Sequence, residues 1–152
     1  EIVTVEAAGD YPPRVVEVQP RVIDAVDVSA ASVVVCIGRG LAKAEDLPMM
    51  QELADALGGV LGCTRPISED FHWMPKERYI GLSGKKVSAK LYIVVGSSGQ
   101  IQHIAGAQDS RVILAVNSDK NAPVFKVVDY GIIGDLYAVV PALTTAGRQL
   151  KG

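Results

Sequence analysis

The chain has 152 residues, enough for one domain with a real core, and 49% of them are hydrophobic although only 5% are aromatic. Val, Ile, Leu and Ala supply that apolar mass, the usual content of parallel strands buried on both faces, and no apolar run approaches the roughly 20 residues that a membrane span needs. A net charge of −2 without a basic cluster excludes an electrostatic footprint for nucleic acid.

The chain begins with Glu1 rather than Met and shows no signal-peptide pattern, which reads as a processed form or a piece of a longer protein. Ile2–Val5 and Val15–Val18 are short β-like runs separated by Gly9, Pro12 and Pro13, so residues 1–27 read as an arm of edge strands and residues 28–152 as the domain. Val28 to Ile37 predicts a continuous buried strand, closed by Gly38-Arg39-Gly40. Asp46 starts a helix with Pro48 in its first turn, where a missing N–H costs nothing. Leu47, Met50, Leu53, Ala54 and Leu57 repeat at helical spacing until Gly58-Gly59 stops the run. A strand at Val60–Cys63 ends in Thr64-Arg65-Pro66, and residues 67–90 read as a long loop with a helical turn and a short strand near Tyr79-Ile80. Strand 91–96, a helix over Gln100–Ala105, strand Arg111–Asn117, a fifth strand at Phe125–Val128 and a final helix from about Gly134 to Leu150 follow.

Strands alternating with helices predict an α/β fold, Rossmann-like and doubly wound, with a mainly parallel sheet and helices on both faces. Ligands of such sheets sit beyond the carboxyl ends of the strands. The segments at that edge are Gly38-Arg39-Gly40, Thr64-Arg65, Gly96-Ser97-Ser98-Gly99, Asn117-Ser118-Asp119 and Asp129-Tyr130-Gly131. Two arginines, small hydroxyls and glycine turns suit a phosphate-bearing ligand, and the turn at Gly96–Gly99 gathers free backbone N–H groups at one point. Neither GxGxxG nor GxxxxGK[ST] occurs, which leaves the ordinary dinucleotide fingerprint and the P-loop unsupported. Cys36 and Cys63 read as two isolated buried thiols in a reducing, intracellular compartment.

Six ordered segments carry a closer likeness: Gly38-Arg-Gly-Leu41, Gly62-Cys-Thr-Arg65, Gly81-Leu-Ser-Gly-Lys85, Gly96-Ser-Ser-Gly-Gln-Ile-Gln-His-Ile-Ala-Gly106, Ala115-Val-Asn117 and Val128-Asp-Tyr-Gly-Ile-Ile-Gly-Asp-Leu136. From about Ala31 to Leu143 the chain resembles the C-terminal FAD domain of the electron-transfer flavoprotein alpha subunit. That resemblance implies an FAD-dependent electron carrier rather than an enzyme with catalytic side chains. It implies one-electron steps through an anionic semiquinone, a beta-subunit partner, acyl-CoA or other dehydrogenases as donors, and a quinone reductase or other acceptor. It also implies a cytoplasmic location in a bacterium, or the mitochondrial matrix in a eukaryote, without membrane insertion. The family's additional N-terminal domain would join at residues 1–20.

The same resemblance assigns cofactor contacts. Arg39 falls near the phosphates or adenosine; Thr64 and Arg65 lie beside the isoalloxazine, where a fixed guanidinium favours the negative charge of reduced flavin. Ile80, Gly81, Leu82 and Ser83 form a loop with the Ser83 hydroxyl facing flavin N5. Ser97, Ser98, Gly99, Gln100, Ile101, Gln102 and His103 form the main turn, with His103 donating toward the flavin C2 carbonyl. Asn117, Asp135 and Leu136 align near the adenosine, Asp135 as a ribose acceptor. On the residues alone, His103 reads as a packing histidine, Arg39 as a strand-end residue paired with Glu45 or Asp46, Arg65 as a surface arginine and Ser83 as a turn serine. His72 and Trp73 read as loop packing, Lys85-Lys86 as solvated, and Met49-Met50 as helix core. The rival class is a regulatory or interaction domain that uses the same turns for AMP or NAD. A hydrolase using Ser98 and His103 lacks both an orienting acid and the G-x-S-x-G elbow.

Overall fold

The computed structural model describes residues 26–151, so the expected arm strands at Ile2–Val5 and Val15–Val18 lie outside the described residues. Among the described residues, five strands and three α-helices follow in the order β1 Val33–Ile37, α1 Leu47–Leu57, β2 Val60–Cys63, β3 Leu91–Val95, α2 Ile101–Ile104, β4 Ile113–Asn117, β5 Tyr130–Ile133 and α3 Leu136–Lys151. The strands form one sheet in the order β2-β1-β3-β4-β5, and all four pairings are parallel. Register is set at the centre, where Val35 of β1 lies beside Leu61 of β2 and Ile93 of β3.

Alternation along the strands sorts the side chains into two layers. Val35, Ile37, Leu61, Cys63, Ile93, Val95 and Val116 pack with Met50, Leu53 and Ala54 of α1 and with Leu136 and Val140 of α3. Val34, Cys36, Tyr92, Val94, Ile113 and Ala115 face the other way, onto Val28, Ile80, Val87, Ala107 and Val124. The two long helices therefore share one face. The short α2 and the irregular connections cover the other. The doubly wound α/β expectation holds, and Cys36 and Cys63 are buried and free.

Several elements fall where the sequence pattern puts them. Pro48 stands in the first turn of α1, and Gly58 closes that helix in the left-handed conformation at φ 69°. Others are corrected. The first strand starts at Val33 rather than Val28, because the Asp27 side chain accepts from the Ser29 N–H at 3.0 Å and winds Val28–Ala30 into a 3₁₀ turn. Phe125–Val128 is not the fifth strand. Pro123 pre-sets a helical φ and starts a 3₁₀ turn over Pro123–Lys126, which buries Val124, and the strand follows at Tyr130–Ile133. In the long loop, Pro66–Asp70 form a π-helical turn, and the strand expected at Tyr79-Ile80 shrinks to single bridges, Cys63 to Tyr79 and Ile80 to Lys85.

Candidate functional site

The chain leaves β1 toward β2 on one side, and β3 adds on the other. The strand order therefore reverses between β1 and β3. A crevice opens outside the strand ends at such a reversal. Glycines build its floor. The Gly38 N–H donates to the Val95 carbonyl and the Gly40 N–H to the Gly96 carbonyl, both at 2.8 Å. A Cβ on Gly38 would stand 2.6 Å from the Gly96 oxygen, and one on Gly40 2.7 Å from the Gly96 Cα. The two backbones approach more closely than any side chain permits. Gly96 and Gly99 both have positive φ, 65° and 76°.

Above this floor lies a cleft of about 700 Å³. Arg39, Thr64, Arg65, Leu82, Ser83, Ser97, Ser98, Gln100, Gln102, His103 and Asn117 line it, so eleven of the expected contacts come together. Among the described residues, no partner takes the backbone N–H of Ser98, Gln100, Ile101 or Gln102. Thr64 is buried, with its N–H on the Ile37 carbonyl at 2.9 Å. The Ser83 hydroxyl lies 3.0 Å from the Tyr79 hydroxyl, and the Ser97 hydroxyl accepts from the Gly99 N–H at 3.3 Å. The Asn117 amide donates to the Ser97 carbonyl at 2.9 Å, tying the end of β4 to the turn after β3.

The remaining expected residues stand apart from the cleft lining. Ile80 is fully buried beneath it, and Gly81 and Gly99 are buried backbone positions. Ile101 points outward at 84% exposure. Leu136 packs in the core shared by α1 and α3. Asp135 caps α3, its carboxylate accepting from the Tyr137 N–H at 3.0 Å. It nevertheless lies on the same edge of the sheet, since the adjacent Gly134 N–H donates to the Asn117 carbonyl at 3.1 Å. The cleft adds Tyr79, Pro66, Asp119, Ala122 and Pro123, to which the sequence reading gave no role. Asp119 was visible in the segment after β4. Ala122 and Pro123 arrive only because the Val124 N–H bonds the Ser98 carbonyl at 2.9 Å.

The charged groups differ in how firmly they are held. Arg39 is not paired with Glu45 or Asp46: Asp46 takes the Tyr137 hydroxyl at 2.6 Å and Lys43 at 3.9 Å, and no carboxylate among the described residues lies within ion-pair distance of Arg39. The Arg65 Nε lies 3.2 Å from Glu69 on the turn that follows it, and Glu69 also meets Lys76 at 3.3 Å. Both cations hold the Glu69 carboxyl below the usual range. Burial pushes the Cys63 thiol up to about 12, so it remains a protonated core group.

His103 departs from its expected orientation. Its Nδ1 is 3.0 Å from the Ile80 carbonyl and its Nε2 is 3.0 Å from the Tyr92 hydroxyl. A carbonyl only accepts, so Nδ1 carries the proton and Nε2 accepts from Tyr92. Burial lowers its pKa, against the opposing pull of the Ile80 carbonyl. In this arrangement neither ring nitrogen is free to donate toward a cofactor. The ring lines the cleft as a neutral group.

A switch-point cleft with a glycine floor, free N–H groups and two guanidinium groups at its rim defines an α/β domain for a phosphate-bearing nucleotide cofactor. The likeness to known proteins narrows that class. Residues 27–108 match the model of the electron transfer flavoprotein FAD-binding domain, and the chain belongs to that family. It is 51% identical over 127 residues to YdiR of Escherichia coli (strain K12), named as an electron transfer flavoprotein subunit. It is 46% identical over 128 residues to the protein FixB of Escherichia coli O1:K1 / APEC. Each match covers 84% of this chain but 41% of the relative, so the chain spans about two fifths of the curated relatives' length. A Mycobacterium smegmatis protein described as a thiamin diphosphate-dependent enzyme shares the fold at TM-score 0.51 and 15% identity, over 78% of this chain and 25% of that one. Among the described residues, no helix is long and apolar enough to cross a membrane.

Proposed function

We propose that the cleft holds FAD, with its phosphates on the Gly96–Gln102 turn and near Arg39, and the isoalloxazine beside Thr64, Arg65 and Ser83. Asn117 and Asp135, neighbours at the ends of β4 and β5, take the adenosine side, Asp135 through ribose hydroxyls. When bound, FAD supplies the electron-accepting and electron-donating chemistry. The chain binds, orients and sets the electrostatics. Arg65 supports negative charge on the reduced ring. The Ser83 hydroxyl is held by Tyr79 at the cleft wall, within the same lining as Arg65. The observation that carries this reading is the convergence of Arg39, Arg65, Thr64 and Ser83 on one glycine-floored cleft. An adenine nucleotide alone would give the groups on the β2 side no common target.

In the parent protein the same reading makes this domain an electron carrier. It works with a beta subunit, drawing from acyl-CoA or other dehydrogenases and delivering to a quinone reductase or other acceptor. Calorimetric titration of the chain with FAD, NAD and AMP tests the cofactor assignment. FAD is expected to bind tightest, and tighter binding of AMP or NAD refutes it.

A further inference from the structure

Tyr92 is the second residue of β3, fully buried, on the face away from α1 and α3. A tyrosine there must give its hydroxyl a partner, because an unpaired buried hydroxyl costs roughly 1–3 kcal/mol. Its partner is the His103 Nε2 at 3.0 Å, with the Cys36 sulfur 3.9 Å from the same nitrogen. The chain of bonds has one direction. Tyr92 donates to Nε2, and the Nδ1 proton goes to the Ile80 carbonyl at 3.0 Å. Ile80 begins the turn whose Leu82 and Ser83 line the cleft. That turn is pinned from three sides. The Ile80 N–H bonds the Cys63 carbonyl at 2.9 Å, the Leu82 N–H bonds the Gln102 carbonyl at 2.7 Å, and a Cβ on Gly106 would stand 2.4 Å from the Gly81 nitrogen. His103 and Gln102 are consecutive on α2, so one helical turn grips the loop by a side chain and by its backbone.

We infer that Tyr92 is a positioning residue of the cofactor site: its buried hydroxyl fixes His103 as the Nδ1–H tautomer and thereby holds the Ile80–Ser83 turn against α2. The inference rests on the cleft being the FAD site. Without the hydroxyl, Nε2 keeps only the weak Cys36 thiol, 3.9 Å away. The tautomer protonated at Nε2, which abandons Ile80, then becomes accessible. The Ser83 hydroxyl and the Leu82 backbone lose a fixed base.

Long-range ¹H–¹⁵N spectra of the imidazole nitrogens, amide exchange at Leu82 and FAD titration test this on the chain and on Tyr92→Phe. The wild type is expected to show a single Nδ1–H tautomer. In Tyr92→Phe the Nε2 resonance should move toward that of an unbonded nitrogen, with Leu82 exchange and the FAD Kd each rising about 3- to 10-fold, the worth of one hydrogen bond. Val116→Ala, which thins the core on the opposite face of the sheet, should leave the His103 nitrogens and the FAD Kd unchanged. An Nε2–H tautomer in the wild type overturns the proposal even if Tyr92→Phe fails to fold. So does a Tyr92→Phe chain with wild-type Leu82 exchange and FAD Kd. A wild type that shows the Nδ1–H tautomer but takes no FAD overturns the cofactor reading, and the positioning role falls with it.

Discussion

Gly38→Ala probes the close approach of β1 to the turn after β3 at the floor of the cleft. The added methyl would meet the Gly96 oxygen at 2.6 Å, the Ser97 Cα at 2.7 Å and the Ser97 Cβ at 2.8 Å. None of these atoms is the free end of a flexible side chain, so relief requires the ends of β1 and β3 to move apart. Two floor bonds, from Gly38 to Val95 and from Gly40 to Gly96, oppose that movement. Overpacking of this kind costs about 1–3 kcal/mol. A loss of about 2 kcal/mol lowers Tm by roughly 4–8 °C for a chain of this size. The same displacement disturbs Ser97 and Ser98, so FAD affinity should fall at a temperature where the variant is still fully folded. Gly147→Ala is the control. It lies inside α3, where alanine is favoured over glycine by roughly 1 kcal/mol, and its methyl meets the Leu57 Cδ2, the far end of a side chain, at 2.9 Å, with Leu57 Cγ and Ala56 Cβ at ordinary contact distances of 3.5 and 3.6 Å. It should be neutral or stabilising. Thermal melts followed by circular dichroism, with FAD titrations at 20 °C below the variant's Tm, supply both readouts. A Gly38→Ala chain that melts with the wild type and binds FAD equally well refutes the crevice reasoning.

Three other outcomes follow from the site. Arg65→Ala should make the potential of bound FAD more negative by about 30 mV, the equivalent of roughly 1.4 kcal/mol for a two-electron couple, as measured by spectroelectrochemical titration; an unchanged potential removes Arg65 from the flavin's surroundings. Asp135→Ser keeps a side-chain cap on α3 but removes the carboxylate, so stability should hold while FAD affinity drops several-fold; if affinity is unchanged, Asp135 is a cap alone. His103 is buried neutral with a lowered pKa, so below its unfolded value of about 6.5 the unfolded chain binds the proton first and stability falls with pH toward the lower folded value. Urea midpoints at about pH 7.5 and about pH 5.5 should show that loss in the wild type and a smaller one in His103→Gln, and equal losses would show that other groups carry the acid response.

The sheet was readable because its strands are short continuous runs of Val, Ile and Leu, and because glycine pairs punctuate the helix between the first two. β5 was misplaced for a physical reason. Val124, fully buried in a 3₁₀ turn, lends its surroundings the look of a core strand, whereas the true edge strand leaves Tyr130 and Ile133 more than 60% exposed. About half of the cleft lining, including Arg39, Thr64, Arg65, Ser97 and Asn117, was legible from the rule that ligands gather at the carboxyl ends of parallel strands; Leu82, Ser83 and His103 came from the family resemblance, and Asp129–Gly131, expected at that edge, opens β5 at its other end. The partners of His103 were not legible. Ile80, Tyr92 and Cys36 stand 23, 11 and 67 residues away in the chain. Only the register of β1 on β3 and the path of the long loop bring them together.

The neutrality of His103 decides where positive charge in the cleft comes from. With both ring nitrogens engaged inside the protein, the histidine adds a dipole and no net charge, and the cations left in the lining are Arg39 and Arg65. They are not equivalent. Arg39 follows the glycine floor and faces no carboxylate among the described residues, so its charge is fully available to an anionic ligand. Arg65 is shared with Glu69, but that pair is exposed, and exposed pairs contribute only about 0–1 kcal/mol. Lys76 is already beside Glu69, so the carboxylate keeps a cation when Arg65 turns into the cleft. Arg65 can therefore move toward a ligand at little cost, and the acidic neighbour serves to park it rather than to neutralise it.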